Sequence, residues 1–200
     1  MPRRTYVNAV LGPLAALTLA SCAAVNPAGL IAASRLDPLA TAPGDIALAV
    51  GVPDRVGLVD GDAEFRMSYR REGGDGAVLV DETVALQLRR VAAGAPPKRS
   101  AGETVFAARF SEEGAARIAA AQSEIRSLRR QGVDGTGSLT VSVIGGCVLG
   151  PPLRELPVST WIQTNPTDGF VRLTRSRDLF AALDAPAAAD LQRRLKPCGT

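Results

Sequence analysis

From Asp45 onward, apolar and polar residues alternate with the period of a β-strand. Ala63, Phe65, Met67 and Tyr69 are separated by Glu64, Arg66, Ser68 and Arg70. That is the pattern of a strand with one buried and one wet face. The alternation returns at Val84, Leu86 and Leu88, and again at Leu139, Val141 and Val143. Residues 46–52, 104–110, 158–164 and 170–173 are further strand candidates. Asp60-Gly61, Gly73-Gly74-Asp75-Gly76, Gly135 with Gly137, and Asp168-Gly169 mark turns between them, because glycine and aspartate accept the backbone angles that turns require. Short connections between alternating strands favour antiparallel over parallel pairing.

One segment changes period. Ser111 can cap a helix, and Glu112 and Glu113 suit the positive end of its dipole. Ala115, Ile118, Gln122, Ile125 and Leu128 then recur at spacings of three and four. Arg126, Arg129 and Arg130 fall in the last turns, where the dipole favours cations, and Gly132 can end the helix. The stripe is narrow and partly alanine, which predicts a helix on an edge or face of the sheet rather than at the centre of the core. A second helical region is predicted over 177–196, broken near Asp184-Ala185-Pro186, with Asp184 capping its second half and Pro197 stopping it. The fold class expected is mainly β within an α+β arrangement. It would be an antiparallel β-sandwich or rolled sheet of about seven strands, with one long and one short C-terminal helix.

The first residues follow other rules. Met1-Pro2-Arg3-Arg4 is a short basic start, 7–20 are mostly apolar, and Leu19-Ala20-Ser21-Cys22 closes the run. The apolar stretch is shorter than the ~20 residues a membrane-spanning helix needs. In this order the segment resembles the signal peptide and lipobox of bacterial lipoproteins, a resemblance that covers about a tenth of the chain. It implies that 1–21 are removed and that Cys22 receives lipid and becomes the mature N-terminus. Ala23 follows the cysteine, not aspartate; by the better-known sorting pattern this implies the outer membrane, facing the periplasm. Residues 22–44 carry Pro27, Pro38 and Pro43 among many small residues and read as a lipidated tether. Leu30, Ile31, Leu36 and Leu39 are more apolar than a free linker requires, so part of the tether is expected to dock or form a short helix. Residues 45–200 then form a single β-rich periplasmic domain, long enough to bury a core.

With Cys22 lipidated, Cys147 and Cys198 remain. Two cysteines in an oxidising compartment are expected to pair, which would pin the C-terminal tail. The formal charge falls from +3 to +1 when Arg3 and Arg4 leave. That balance gives no reason to expect a nucleic-acid partner.

The chain holds no histidine, which removes Ser-His and Cys-His nucleophiles and the commonest zinc and copper ligand. Lys98 and Lys196, the only lysines, stand in no Ser-x-x-Lys spacing. Asp60-Gly61-Asp62 lacks the further ligands of a calcium loop and reads as a polar turn. Asp81 and Glu82 would face opposite sides of a strand. Gly135-Thr136-Gly137 lacks a following helix and a P-loop lysine. Trp161 is the single tryptophan and is expected in the core. The link at 145–152 is expected to be irregular. Among basic residues, Arg126, Arg129 and Arg130 on the helix are candidate anion or partner contacts, and Arg172 and Arg175, with Arg177, could frame an anion site. No catalytic residue, metal site or cofactor is expected.

The function expected is therefore a membrane-anchored envelope lipoprotein with a non-catalytic binding or assembly role. It would be held by its N-terminal lipid and would contact an envelope protein through sheet edges and the arginine-bearing helix. The alternative is a carboxylate-dependent hydrolase or small-ligand binder acting on envelope polymers.

Overall fold

The computed structural model describes residues 37–199, apart from 75, 93, 166 and 168. Its elements, in chain order, begin with five strands: β1 (Ala47–Pro53), β2 (Val56–Gly57), β3 (Ala63–Arg71), β4 (Val78–Arg90) and β5 (Glu103–Phe110). Helix α1 (Glu112–Arg130) follows, then β6 (Gly135–Val143), β7 (Gly146–Val148), β8 (Pro157–Gln163) and β9 (Val171–Asp178). The chain closes with α2 (Leu179–Ala182), α3 (Ala185–Arg194) and β10 (Leu195–Pro197). The expected signal peptide, Cys22 and most of the tether lie outside the described residues.

Seven strands make one curled sheet in the order β6-β3-β4-β5-β1-β8-β9, and each neighbouring pair is antiparallel. Period-two patterning becomes geometry on β3, where Ala63, Phe65, Met67 and Tyr69 are all buried. Phe65 lies opposite both Val84 and Val141 in register, which aligns the apolar side chains of three strands on the concave face. The neighbouring strands β1 and β8 are instead buried on both faces. Leu48, Val50 and Ile162 belong to the concave core, while Ala49, Val105 and Trp161 form a second cluster on the convex side with Val91 and Phe170. That two-sided burial explains why β1 reads as a continuous apolar run rather than an alternation.

α1 lies across the concave face against β4, with β3 and β5 beside it. Ser111 Oγ accepts the Gly114 N–H at 3.0 Å, completing the expected cap. The expectation of a peripheral helix is corrected in part. Because the sheet curls around it, Ile118 and Ile125 reach 0% and 2% exposure and join the main core. There they share a cluster with Phe65, whose ring meets Phe110 edge-on at 5.1 Å.

The C-terminal region departs from the expected helix over 177–196. β9 extends through Arg177 and Asp178, and Asp178 Oδ1 accepts both the Phe180 N–H that starts α2 and the Leu156 N–H. Asp184 caps α3 as expected, accepting the Ala187 N–H at 2.8 Å. Beyond it, Leu195–Pro197 is a strand. It pairs in parallel with β7, which pairs antiparallel with β2. The link at 145–152, expected to be irregular, thus contributes a strand. Strands of two or three residues are too short to show a period.

The Cys147–Cys198 disulfide is present, with its Cα atoms 4.8 Å apart, and joins this small sheet to the tail. Gly57 faces it, and a Cβ there would stand 2.9 Å from Cys147 Sγ. A bridge across 51 residues stabilises the fold by about 4 kcal/mol on the chain-entropy account.

Ile118→Ala should lower unfolding stability by about 2–5 kcal/mol, measured by urea titration, since a fully enclosed site cannot collapse around the void. Cys147→Ala together with Cys198→Ala should cost about 2–5 kcal/mol in the same titration; unchanged stability would mean that the bridge does not restrain the unfolded chain.

Candidate functional site

A curled but unclosed sheet leaves a seam between its two edge strands, β6 and β9. Beside this seam is a groove of about 440 Å³. Met67 and Leu139, partners in the β3–β6 register, form part of its wall. Leu173 enters from β9. α1 contributes Ile125 and, one turn later, Arg129. Asp37, Pro38 and Leu39 join the lining, with Ser68, Gly137 and Ser138 beside them. The walls are mainly apolar, and Asp37 and Arg129 are the charged groups.

Tyr69 holds Arg129 in place. Its buried ring lies under the guanidinium, 5.5 Å from centroid to Cζ, and its hydroxyl donates to the Val133 carbonyl at 3.0 Å. The β6 backbone passes directly over this ring. A Cβ on Gly135 would stand 2.5 Å from Arg70 O and 2.7 Å from the ring. Gly135-Thr136-Gly137 is therefore the start of a strand shaped by a close crossing.

The chain at 37–41 is fastened to α1. Gln122, 3% exposed, donates through Nε2 to the Pro38 carbonyl at 2.6 Å and the Thr41 carbonyl at 2.9 Å. Arg126 donates to the Leu39 carbonyl. Asp37 tightens the turn, since its Oδ1 accepts the Ala40 N–H at 3.0 Å and its carbonyl accepts the Thr41 N–H at 3.0 Å. Leu39 packs on the core and Pro43 is buried in a short 3-10 turn, Pro43–Asp45. Of the apolar residues expected to dock from 22–44, Leu39 does so, and Leu30, Ile31 and Leu36 lie outside the described residues.

The structure divides the five candidate arginines between different tasks. Arg126 holds the turn at 37–41, Arg129 lies on Tyr69, and Arg130 is exposed at the end of α1. Arg172 instead covers Trp161 on the convex face, 4.8 Å from its ring centroid, and reaches the Lys98 carbonyl at 3.5 Å. Arg175 and Arg177 are exposed on β9. Trp161 itself is buried, but in the convex cluster rather than the main core. Gly51 makes room for it, because a Cβ there would stand 2.9 Å from the indole and collide with Glu103.

The carboxylates singled out in the sequence are engaged elsewhere. Asp81 pairs with Arg66 through two contacts of 2.5 and 2.6 Å. That hydrogen bond, with the charge of Arg66, holds the Asp81 carboxyl below the usual carboxylate range and the guanidinium above its own. Glu82 faces the other way and pairs with Arg117 of α1. Asp60 accepts the Leu88 N–H at 2.6 Å and Asp62 accepts the Val59 N–H at 2.8 Å, which makes the segment a hydrogen-bonded turn. Among the described residues no three His, Cys, Asp or Glu side chains gather as a metal site.

The groove draws on five separate stretches of chain. Gln122, a polar side chain inside the apolar stripe, is a signal by which the docked turn beside the groove could have been found, since a buried amide needs a partner. No family model, no curated protein and no solved structure matches this chain.

Gln122→Ala should leave the Pro38 and Thr41 carbonyls without their donor and cost about 1–3 kcal/mol. Amide exchange at Ala40 and Thr41 should accelerate well beyond that of β3 and β4, whereas uniform acceleration would show that the clamp is not local.

Proposed function

We propose that this chain is a lipid-anchored envelope protein, modified at Cys22 and attached to the outer membrane on its periplasmic side. Its role is non-catalytic, in binding or assembly with another envelope protein. The observation that carries the reading is the allocation of cysteines. Cys147 and Cys198 are bonded to each other, so of three cysteines Cys22 is left for modification, at the end of Leu19-Ala20-Ser21-Cys22. A structural disulfide also suits an oxidising compartment. Among the described residues no helix is long and apolar enough to cross a membrane.

The docked turn at 37–41 sets the working length of the tether. From Cys22 to Asp37 the chain is about 15 residues and spans at most ~50 Å when extended. The domain can therefore stand off the membrane and still meet a partner anchored nearby. Sheet edges β6 and β9 and the exposed end of α1 at Arg130 are the contact surfaces in this reading. Binding is favoured over carboxylate hydrolysis because Asp60, Asp62, Asp81 and Glu82 are each held by a backbone amide or an arginine.

In cells fed a labelled fatty acid, the chain should take up label, and Cys22→Ala should abolish it and leave the precursor unprocessed. Labelling that persists in the variant would overturn the lipoprotein reading.

A further inference from the structure

We propose that the convex face carries a binding site for a phosphate group, built from Arg89, Arg109 and Gln87 where β4 lies beside β5. The site does not depend on the lipid anchor. Leu86, Leu88 and Ala108 pack in the concave core, so Gln87, Arg89, Ala107 and Arg109, which alternate with them, face the other way. Register places Gln87 directly opposite Arg109, and Arg89 opposite Ala107. Arg89 and Arg109 are thus diagonal neighbours, ~7–8 Å apart at the backbone, a separation that long side chains span. Ala107 is too small to fill the space between them. A pocket of about 340 Å³ opens there, lined by these four residues with Leu88 and Asp60.

Charge points to an anion. Other arginines of this face have partners: Arg66 is bound to Asp81, Arg70 donates to the Gly76 carbonyl, and Arg172 covers Trp161. Arg89 and Arg109 form no ion pair among the described residues. Two like charges so placed repel unless an anion lies between them. Asp60 shares the pocket, but its Oδ1 is engaged by the Leu88 N–H at 2.6 Å. One carboxylate against two guanidiniums leaves the pocket cationic.

The donor arrangement selects the kind of anion. A planar carboxylate is satisfied by a single guanidinium fork, whereas a tetrahedral phosphate offers oxygens to donors arriving from several sides. Here they arrive from two guanidiniums on different strands and from the Gln87 amide. The phosphate can belong to a lipid headgroup or to a free soluble phosphate, and the two share this chemistry.

The test titrates the full-length chain, isotopically labelled and held in a neutral detergent, with sodium phosphate at constant ionic strength. Arginine Nε–H signals are followed by NMR. Those of Arg89 and Arg109 should shift and saturate with a Kd on the order of millimolar, while that of Arg130 stays in place. Arg89→Gln and Arg109→Gln, both at exposed positions, should each weaken binding about fivefold or more. Asp60→Asn keeps an oxygen for the Leu88 N–H and removes the opposing charge, so it should tighten binding about twofold or more. Glycerophosphoglycerol, a lipid headgroup freed of its chains, is titrated in parallel: tighter binding than inorganic phosphate assigns the site to a headgroup, and weaker binding assigns it to soluble phosphate. Shifts that never saturate with either probe would overturn the proposal. So would an Arg89→Gln, Arg109→Gln double variant that titrates like the parent chain.

Discussion

The structure depends on burying the apolar stripe of α1 in the concave face of a curled sheet. Neither surface is stable alone. The sheet offers Phe65, Val84 and Leu86 on one face of β3 and β4, and the helix offers Ile118 and Ile125 two turns apart. Their union forms the main core and fixes how tightly the sheet curls, because strands at either side must turn inward to reach the helix. From that geometry follow the seam between β6 and β9, the groove beside it and the position of Gln122. A helix laid on a flat sheet would have left Ile118 half exposed and created no groove.

A second constraint acts toward the β9 side of the sheet. β1 and β8 carry apolar residues on both faces, so the convex side must also be covered there. A few residues achieve this: Trp161 lies over Gly51, and Arg172 and Phe170 close around the indole. An arginine that reads in sequence as a possible anion contact acts here through its planar, cationic surface. Toward β3 and β4 the convex face becomes polar, with Arg66 bound to Asp81 in an exposed pair. Such a pair orders side chains more than it stabilises the fold. The disulfide, by contrast, lies in the small three-stranded sheet. It secures a three-residue terminal strand whose own hydrogen bonds could not hold it.

Residues whose environment is set by near neighbours were legible in the sequence. The alternation of β3 and the caps at Ser111 and Asp184 need only local chemistry, and all three appear where the pattern put them. The pairing of Cys147 with Cys198 was legible by elimination. Partner-dependent features were not. β2, β7 and β10 exist because each finds a neighbour far away in sequence, and two or three residues cannot display a period. The end of the second helical region was misplaced for the same reason, since Leu195 and Lys196 are helix-compatible until β7 offers them a sheet. The five arginines looked alike in sequence, and only tertiary packing separated Arg126, Arg129 and Arg172 into three tasks. The groove had no signal in the sequence, because its walls come from five separate stretches of chain.

An open seam is a liability that the fold has to manage. An edge strand presents unpaired backbone groups that invite another chain, and the groove beside it exposes apolar side chains that favour association. A closed barrel would remove both, but closure would require β6 and β9 to pair, and α1 occupies the interior between them. Gln122 and Arg126 fasten the 37–41 turn to α1 beside this seam, so from that turn onward the chain belongs to the domain.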